Sequence, residues 1–369
     1  MPKALETVLE INLAALTHNF NYLKLKLQPQ TKFLAVVKAF AYGSDSVEIA
    51  KHLQNLDVDY FAVAYAKEGV ILRDAGITKP ILVLHPQPIN FNTIIERCLE
   101  PSIYSAKVLK EFIAVAETHS QSQYPVHIKF NTGLNRLGFS PNKIDAIILK
   151  LNATSAIVVK SIFSHLAASE AKNELTFTNK QIDTFKNIAQ EFETKIGYRP
   201  WLHLCNTSGV INYPKAHFNM VRCGIGLYGF GNSAKEDKNL KPIASLKSVI
   251  SQIHKIKTNE TVGYNRAYTS KGLEKTATIP VGHADGVSRI YGNGKGFVII
   301  NKQKAVIIGN VCMDMIMVNV TGINCNEGDE VIVFDAKYKA SDLAESAHTI
   351  SYEILTAISQ RVKRVFISE

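Results

Sequence analysis

In the stretch FLAVVKAFAYGSDS, five apolar residues, Phe33 to Val37, run straight into Lys38. Lysine is among the side chains least often buried, so two readings of this one stand side by side. It marks where a strand meets water, or it is a partly desolvated amine whose lowered pKa makes it a nucleophile able to form an imine. Other polar residues close later apolar runs. VHIKF carries Lys129 and leads into NTGLNRLGF with Arg136; SIFSH ends in His165; WLHLC runs into Asn206-Thr207-Ser208-Gly209; MVRC brings Arg222 up against CGIGLYG. Taken singly, these are a rim histidine, a salt-bridging arginine, and a lysine paired with a carboxylate. Taken together they supply an amine, cations, and two loops, NTSG and CGIG, whose hydroxyls and backbone N–H groups suit a phosphate. An amine at one end and a phosphate grip at the other suit pyridoxal phosphate, which also requires a partner for its ring nitrogen.

The elements that must position these groups follow a regular alternation. Apolar runs at 33–38, 60–65, 80–85, 101–105, 126–130, 159–165, 201–206 and 220–223 are separated by segments of helical periodicity. Apolar strands alternating with helices form parallel βα units. Eight of them predict an α/β fold with a closed, TIM-like (β/α)8 barrel, whose active site lies at the C-terminal ends of the strands and whose phosphate sites favour the last two loops. Lys38, Lys129, Arg136, His165, Thr207 and Arg222 all fall at that end. The segment GNSAKEDKNLKPIASL reads as a linker, and from about residue 244 the pattern changes to period two with turn signals between runs, a mainly antiparallel β-domain. The expected domains are 1–240 and 241–369. A late helix is expected with Asp342 as N-cap and Glu345 in capping-box position.

The chain has 369 residues and a net charge of +10. Its lysines are scattered rather than clustered and accompany no nucleic-acid-binding motif, so solvated faces explain them better than a nucleic-acid partner does. The five cysteines are odd in number and lack any CxxC pair. That argues against a disulfide framework or a zinc site and for a reducing compartment. MPKALETVLEINL lacks the apolar core of a signal peptide, and no window reaches the ~20 apolar residues of a membrane span. A cytoplasmic protein, with no metal and no membrane partner, is the expectation.

Ten stretches, in order, resemble bacterial alanine racemases over nearly the whole chain: EINLAALTHNFNYL, AVVKAFAYG, IKFNTGLNRLGF, FSHLAAS, HLCNTSGV, VRCGIGLYG, VGYNRAY, PVGHADGVSR, VCMDMIMVNV and ISYEILTAISQRVKR. The resemblance implies the following. Pyridoxal 5'-phosphate would be held by Lys38, which would also act as a base on one face of the substrate α-carbon, with Tyr264 as the acid/base on the other face. Arg222 would contact the pyridine nitrogen and His165 would pack against the ring. Tyr42, Thr207, Gly224, Ile225 and Tyr352 would grip the phosphate, with Asn206 beside it. Arg136 and the Met313 backbone would meet the substrate carboxylate, and Lys129 would be a carbamylated lysine orienting Arg136. A short strand near 7–11 would pack with the C-terminal domain. A homodimer would share its sites, each Tyr264 facing the barrel of the second subunit.

The implied reaction is interconversion of L- and D-alanine, supplying D-alanine for peptidoglycan. A racemase for serine or another small amino acid, or a non-catalytic pyridoxal-phosphate-binding protein, is the alternative. Several positions depart from the family's commonest pattern: Phe40, Ser44 and Asp45 after the lysine, Thr207 for a serine, His283 for a tyrosine, and Glu170 and Asn310 in the expected substrate channel. They bear on substrate entry and leave Lys38, Tyr264, Arg136 and Arg222 unchanged.

Overall fold

Strands buried on both faces need every second residue, and its neighbours, to be apolar; the first two-thirds of the chain meets that demand eight times. The computed structural model describes residues 4–368. The chain divides into two compact units, one of residues 17–41 and 46–240, the other of residues 4–16, 42–45 and 241–368. A first strand, β1 (Val8–Asn12), belongs to the second of these. The larger unit is a closed barrel of β2 (Lys32–Val36), β3 (Tyr60–Val63), β4 (Ile81–Val83), β5 (Glu100–Ile103), β6 (Tyr124–Lys129), β7 (Ile157–Phe163), β8 (Trp201–His203) and β9 (Met220–Cys223). Neighbours pair in parallel, and β2 closes the circle by pairing with both β3 and β9. Helices follow the strands, as the alternation requires.

Three expectations shift. The first barrel strand ends at Val36 rather than at Lys38, which instead opens a turn over Lys38–Tyr42. Within it Ala39, Phe40, Ala41 and Tyr42 all have φ between 50° and 55°. A left-handed backbone costs a non-glycine residue roughly 1–2 kcal/mol, so four in succession must be held by contacts made elsewhere. The runs expected at 201–206 and 101–105 are also shorter, because their last residues cap the next helix. Asn206 accepts the Gly209 N–H at 2.9 Å, and Ser105 accepts the Val108 N–H. Nor is the polar segment after residue 230 a plain linker. Ser233 caps a short helix, Ala234–Asp237, that seats the fully buried Glu236 against Ser208 Oγ (2.9 Å), Asn212 Nδ2 (2.7 Å) and the Asn232 N–H (2.8 Å).

The inside of the barrel is unusual. Barrels of this type fill their interior with branched apolar side chains. Here Ser102, His127, Lys129, Ser161, His203 and Arg222 are all buried. His127 lies in register between Ser102 and Ser161 on the neighbouring strands, and Lys129, two residues further along β6, shares its face.

The second unit is built on a nine-stranded sheet. Its further strands are β10 (Ala244–Val249), β11 (Gln252–Ile256), β14 (Glu274–Ile279), β15 (Phe297–Ile300), β16 (Gln303–Ile308), β17 (Ile316–Asn319), β18 (Glu330–Phe334) and β19 (Lys363–Ile367). The order is β11-β14-β17-β16-β15-β18-β10-β1-β19, antiparallel throughout except where β1 lies parallel to β19. Between β11 and β14 a separate two-stranded ribbon, β12 (Thr261–Val262) and β13 (Tyr268–Thr269), projects the turn that carries Tyr264. On the sheet a buried ion pair joins Lys247 to Glu10 at 2.7 Å. The late helix runs Ala340–Ser346 with Lys339 at its N-cap; Asp342 sits three residues in, accepting the Lys339 N–H at 3.1 Å. Asp342 is therefore not the cap itself, and a second helix, Ser351–Ala357, follows.

Candidate active site

The left-handed turn beyond β2 aims Lys38, and a carboxylate on the next βα unit pins it. Glu68, in the first turn of the helix Ala66–Asp74, accepts the Ala39 N–H at 2.7 Å through one oxygen. Its other oxygen accepts the Ala64 and Tyr65 N–H groups at 2.7 and 3.1 Å. Lys38 is half-buried. Burial lowers its pKa first and the Arg136 charge lowers it further, while Glu68 partly opposes both. The amine is thus easier to deprotonate than a surface lysine, which is what nucleophilic and general-base chemistry require.

Arg222, on β9, is buried and makes four contacts. Nη1 donates to His203 Nδ1 at 2.9 Å; Nη2 reaches the carbonyls of Ser164 (2.7 Å) and Leu204 (3.1 Å) and His165 Nδ1 (3.0 Å). Burial brings its pKa down to about 10, which still leaves it cationic at neutral pH. A guanidinium has only donors to offer, so both imidazole nitrogens facing it are acceptors. Desolvation, and then the Arg222 charge, push both His165 and His203 well below the usual histidine range. Both rings are neutral.

Lys129, at the end of β6, lies over the Phe163 ring with its Nζ 5.6 Å from the centroid. Burial, Arg222, Arg136 and Lys38, in that order, depress it to about 8. Arg136 rides on the loop after β6, an exposed position. Asn131 folds that loop by accepting the Gly133 and Asn135 N–H groups at 3.1 and 3.0 Å. Gly138 has φ +128, and a Cβ there would come within 2.6 Å of the Phe130 and Asn131 backbone. The last two loops meet at Thr207, whose buried Oγ1 accepts the Gly224 and Gly226 N–H groups, each at 3.3 Å. A Cβ on Gly226 would lie 2.6 Å from Thr207 Cγ2, so glycine alone permits this close approach. Ser169 Oγ donates to Asn206 Oδ1 at 2.8 Å, holding the residue before the threonine.

The barrel therefore brings together Lys38, Lys129, Arg136, His165 and Arg222, and at its last two loops Asn206, Thr207, Gly224 and Ile225. The other residues named from the sequence lie in the sheet unit. Tyr42 and Tyr352 pair there, with ring centroids 5.9 Å apart. Tyr264 is 75% exposed at the ribbon turn, where Asn310 Nδ2 donates to its carbonyl at 3.2 Å. Met313 is also exposed, and its carbonyl accepts the Ala284 N–H at 3.0 Å. Arg361 braces this loop from behind, bridging Asp285 (2.7 Å) and Asp314 (2.6 Å). Sequence reasoning passed over Glu68, His127, Ser161 and His203. For the last three a signal existed: HIK places two polar residues two apart, and SIF and HLC each set a single polar residue, Ser161 and His203, against apolar neighbours.

A closed parallel barrel with an amine, a buried guanidinium and an anion-suited pair of loops at one end, joined to a β-sheet unit, defines a class of two-domain enzyme. Residues 11–231 match the model of the alanine racemase N-terminal domain, and residues 243–366 that of the alanine racemase C-terminal domain. The chain belongs to the alanine racemase family. It is 34% identical to an alanine racemase of Methanococcus maripaludis, covering 97% of this chain and 98% of that one. It is 36% identical to one of Clostridium perfringens, covering 97% and 94%. A solved alanine racemase of Clostridium difficile superposes with a TM-score of 0.93 at 34% identity, over 100% of this chain and 97% of that one. The Bacillus anthracis enzyme, solved with bound L-Ala-P, gives 0.92 at 29% identity over the same shares.

Proposed function

We propose that the protein interconverts L- and D-alanine, with pyridoxal 5'-phosphate as its cofactor and a homodimer as its working unit. The observation that carries this reading is the pairing, at one end of one barrel, of a lysine with a depressed pKa and a buried arginine that can only donate. The donor set fits the cofactor's three handles: the Lys38 amine for its aldehyde, Arg222 for its ring nitrogen, and Thr207 with the Gly224–Gly226 backbone for its phosphate. Once bound, the cofactor withdraws electrons from the substrate α-carbon and so makes the proton there removable.

The chain's own residues do the rest. Lys38 takes or returns that proton on one face. Tyr264, largely exposed in the single chain, serves the other face in the site of a second copy. Because Arg222 keeps its protons, it would leave a ring nitrogen held against it unprotonated, which would restrain electron withdrawal and favour proton transfer over side reactions. Arg136 binds the substrate carboxylate, with the Met313 backbone nearby. His165, held neutral, would pack against the ring without adding charge. Tyr42 and Tyr352 complete the phosphate grip. Lys129, among three cations, reacts with CO2: its neutral amine forms the N–C bond, a proton leaves to solvent, and the resulting carbamate carries a negative charge that orients Arg136.

The test is proton NMR of the cofactor-loaded protein with L-alanine in heavy water, with chiral chromatography of the same sample. Loss of the α-proton signal together with appearance of D-alanine is the expected result. No exchange in protein confirmed to carry the cofactor would overturn the assignment. Exchange and inversion of L-serine at a comparable kcat/KM would replace alanine by the wider substrate class.

A further inference from the structure

Behind Arg222 a continuous line of hydrogen bonds runs the depth of the barrel. Arg222 Nη1 meets His203 Nδ1 at 2.9 Å, and His203 Nε2 meets Ser161 Oγ at 2.8 Å. Ser161 Oγ meets His127 Nδ1 at 2.6 Å, and His127 Nε2 meets Glu100 Oε2 at 2.7 Å. Tyr60 donates its hydroxyl to the same Glu100 oxygen at 3.0 Å. Ser161, His127 and His203 have no exposed surface. Glu100 and Tyr60 open their strands, whereas Arg222 lies near the end of its own, so the line spans the barrel from its N-terminal to its C-terminal end.

Its direction is dictated by chemistry. Arg222 cannot accept, so His203 Nδ1 must, and the one proton of this neutral ring sits on Nε2 and points at Ser161. The serine oxygen has two partners and one hydrogen. Having accepted from His203, it satisfies that hydrogen only by donating to His127 Nδ1. His127 then carries a proton on Nε2 and gives it to Glu100. Were His127 to donate to the serine as well, the buried hydroxyl hydrogen would be left without a partner, at a cost of about 1–3 kcal/mol.

We infer that Ser161 is a positioning residue for Arg222: it is the link through which a carboxylate at the far end of the barrel orients the imidazole that holds the guanidinium. Bonds in such a chain polarise one another, by about 10–30% each. Glu100 therefore draws His127 Nε2–H, which sharpens Nδ1 as an acceptor for Ser161 and, in turn, Ser161 as an acceptor for His203. His203 Nδ1 becomes the more electron-rich partner for Arg222 and fixes the angle at which that side chain presents its remaining donors. The Phe163 ring stacks flat on His203, with centroids 4.6 Å apart and an 11° tilt, and keeps the imidazole in the plane the line requires. The inference rests on the role proposed for Arg222 above, yet the proton positions can be read without it.

The experiment uses histidine labelled with nitrogen-15 in the cofactor-free full chain, read by long-range proton–nitrogen NMR, together with steady-state kinetics of the loaded enzyme. In the wild type both His203 and His127 should show a proton on Nε2 and a bare Nδ1. Ser161→Ala should shift the Nδ1 resonance of His203, although it removes only the contact at Nε2, and should send His127 into a mixture of tautomers. In the loaded enzyme it should lower kcat about tenfold, the loss of roughly one buried hydrogen bond, with KM within about twofold; Ser161→Thr should restore both readouts. A proton on Nδ1 of either ring in the wild type overturns the inference. So does a folded Ser161→Ala variant with an unmoved His203 resonance or a wild-type kcat. Should that variant fail to fold, the wild-type tautomers and the Ser161→Thr variant decide. Correct tautomers in a wild-type protein that racemises nothing would sink the proposed function and leave the line itself standing.

Discussion

The Glu68 carboxylate accepts the Ala39 N–H at 2.7 Å, tying the residue after Lys38 to the helix of the next βα unit. This contact holds a backbone that local preference opposes. Four consecutive non-glycine residues with positive φ would not keep that form alone; Glu68 secures the first of them while capping its own helix with the other oxygen.

Glu68→Ala should therefore cost about 2–3 kcal/mol in urea unfolding, the loss of a cap and of further charge-assisted hydrogen bonds. Glu68 also raises the Lys38 pKa, so its removal should lower that pKa further. The pH dependence of Lys38 acylation, followed by peptide mass spectrometry, should move to lower pH. An unmoved profile would mean that the carboxylate is not felt at the amine.

Lys38→Ala should abolish the visible absorbance of lysine-bound cofactor and reduce racemisation to background. Tyr264→Phe should keep that absorbance and slow one direction of proton transfer more than the other in single-turnover measurements. Equal, wild-type rates in both directions for Tyr264→Phe would exclude it as the second base.

Lys129 is buried with a pKa of about 8 against an ordinary 10.5. Its folded pKa lies below the unfolded one, so between those values the unfolded chain binds more protons and stability rises with pH; below about 8 the full penalty of a buried charge applies. In CO2-free buffer, Lys129→Met should thus be more stable than the wild type at pH 7, by on the order of 3 kcal/mol. The gain should shrink between pH 8 and 10.5. Bicarbonate labelled with carbon-13 should give the wild type, and not this variant, a carbamate resonance and a higher kcat.

Thr207→Val removes the acceptor shared by the Gly224 and Gly226 N–H groups. Cofactor affinity, measured by equilibrium dialysis, should fall about tenfold or more, whereas Thr207→Ser should lie within about threefold of the wild type.

Much of this architecture could be read from the chain itself. The eight apolar runs place the barrel strands because a strand covered on both faces leaves little room for anything else. The period-two pattern after residue 244 does the same for the sheet unit. What escaped was nonlocal. Ala-Phe-Ala-Tyr contains nothing that asks for a left-handed turn; the demand comes from Glu68, some thirty residues on. The cap of the helix at Ala340 lies three residues before the expected one because Lys339 and Asp342 have the same spacing as Asp342 and Glu345. Either pair satisfies the template, and packing chose the first. The buried Glu236 was hidden by its charged company, since a polar segment reads as solvated until a side chain elsewhere, here Ser208 or Asn212, requires a partner. Lys38, Arg222 and Thr207 were visible because each breaks an apolar or glycine-rich pattern at a strand end.

The sheet unit also imposes an order of assembly. Its strand β1 stands between β10 and β19, with Val8 opposite Lys247 on one side and Lys363 on the other. On a ribosome adding 5–20 residues per second, β1 emerges tens of seconds before either neighbour exists. The whole barrel is synthesised in that interval and can close first. Of the two neighbours β10 comes first and β19 more than a hundred residues later, so a nascent chain that stalls between them would carry a formed barrel and a β1 paired on one side only, its other edge bare and open to misassembly.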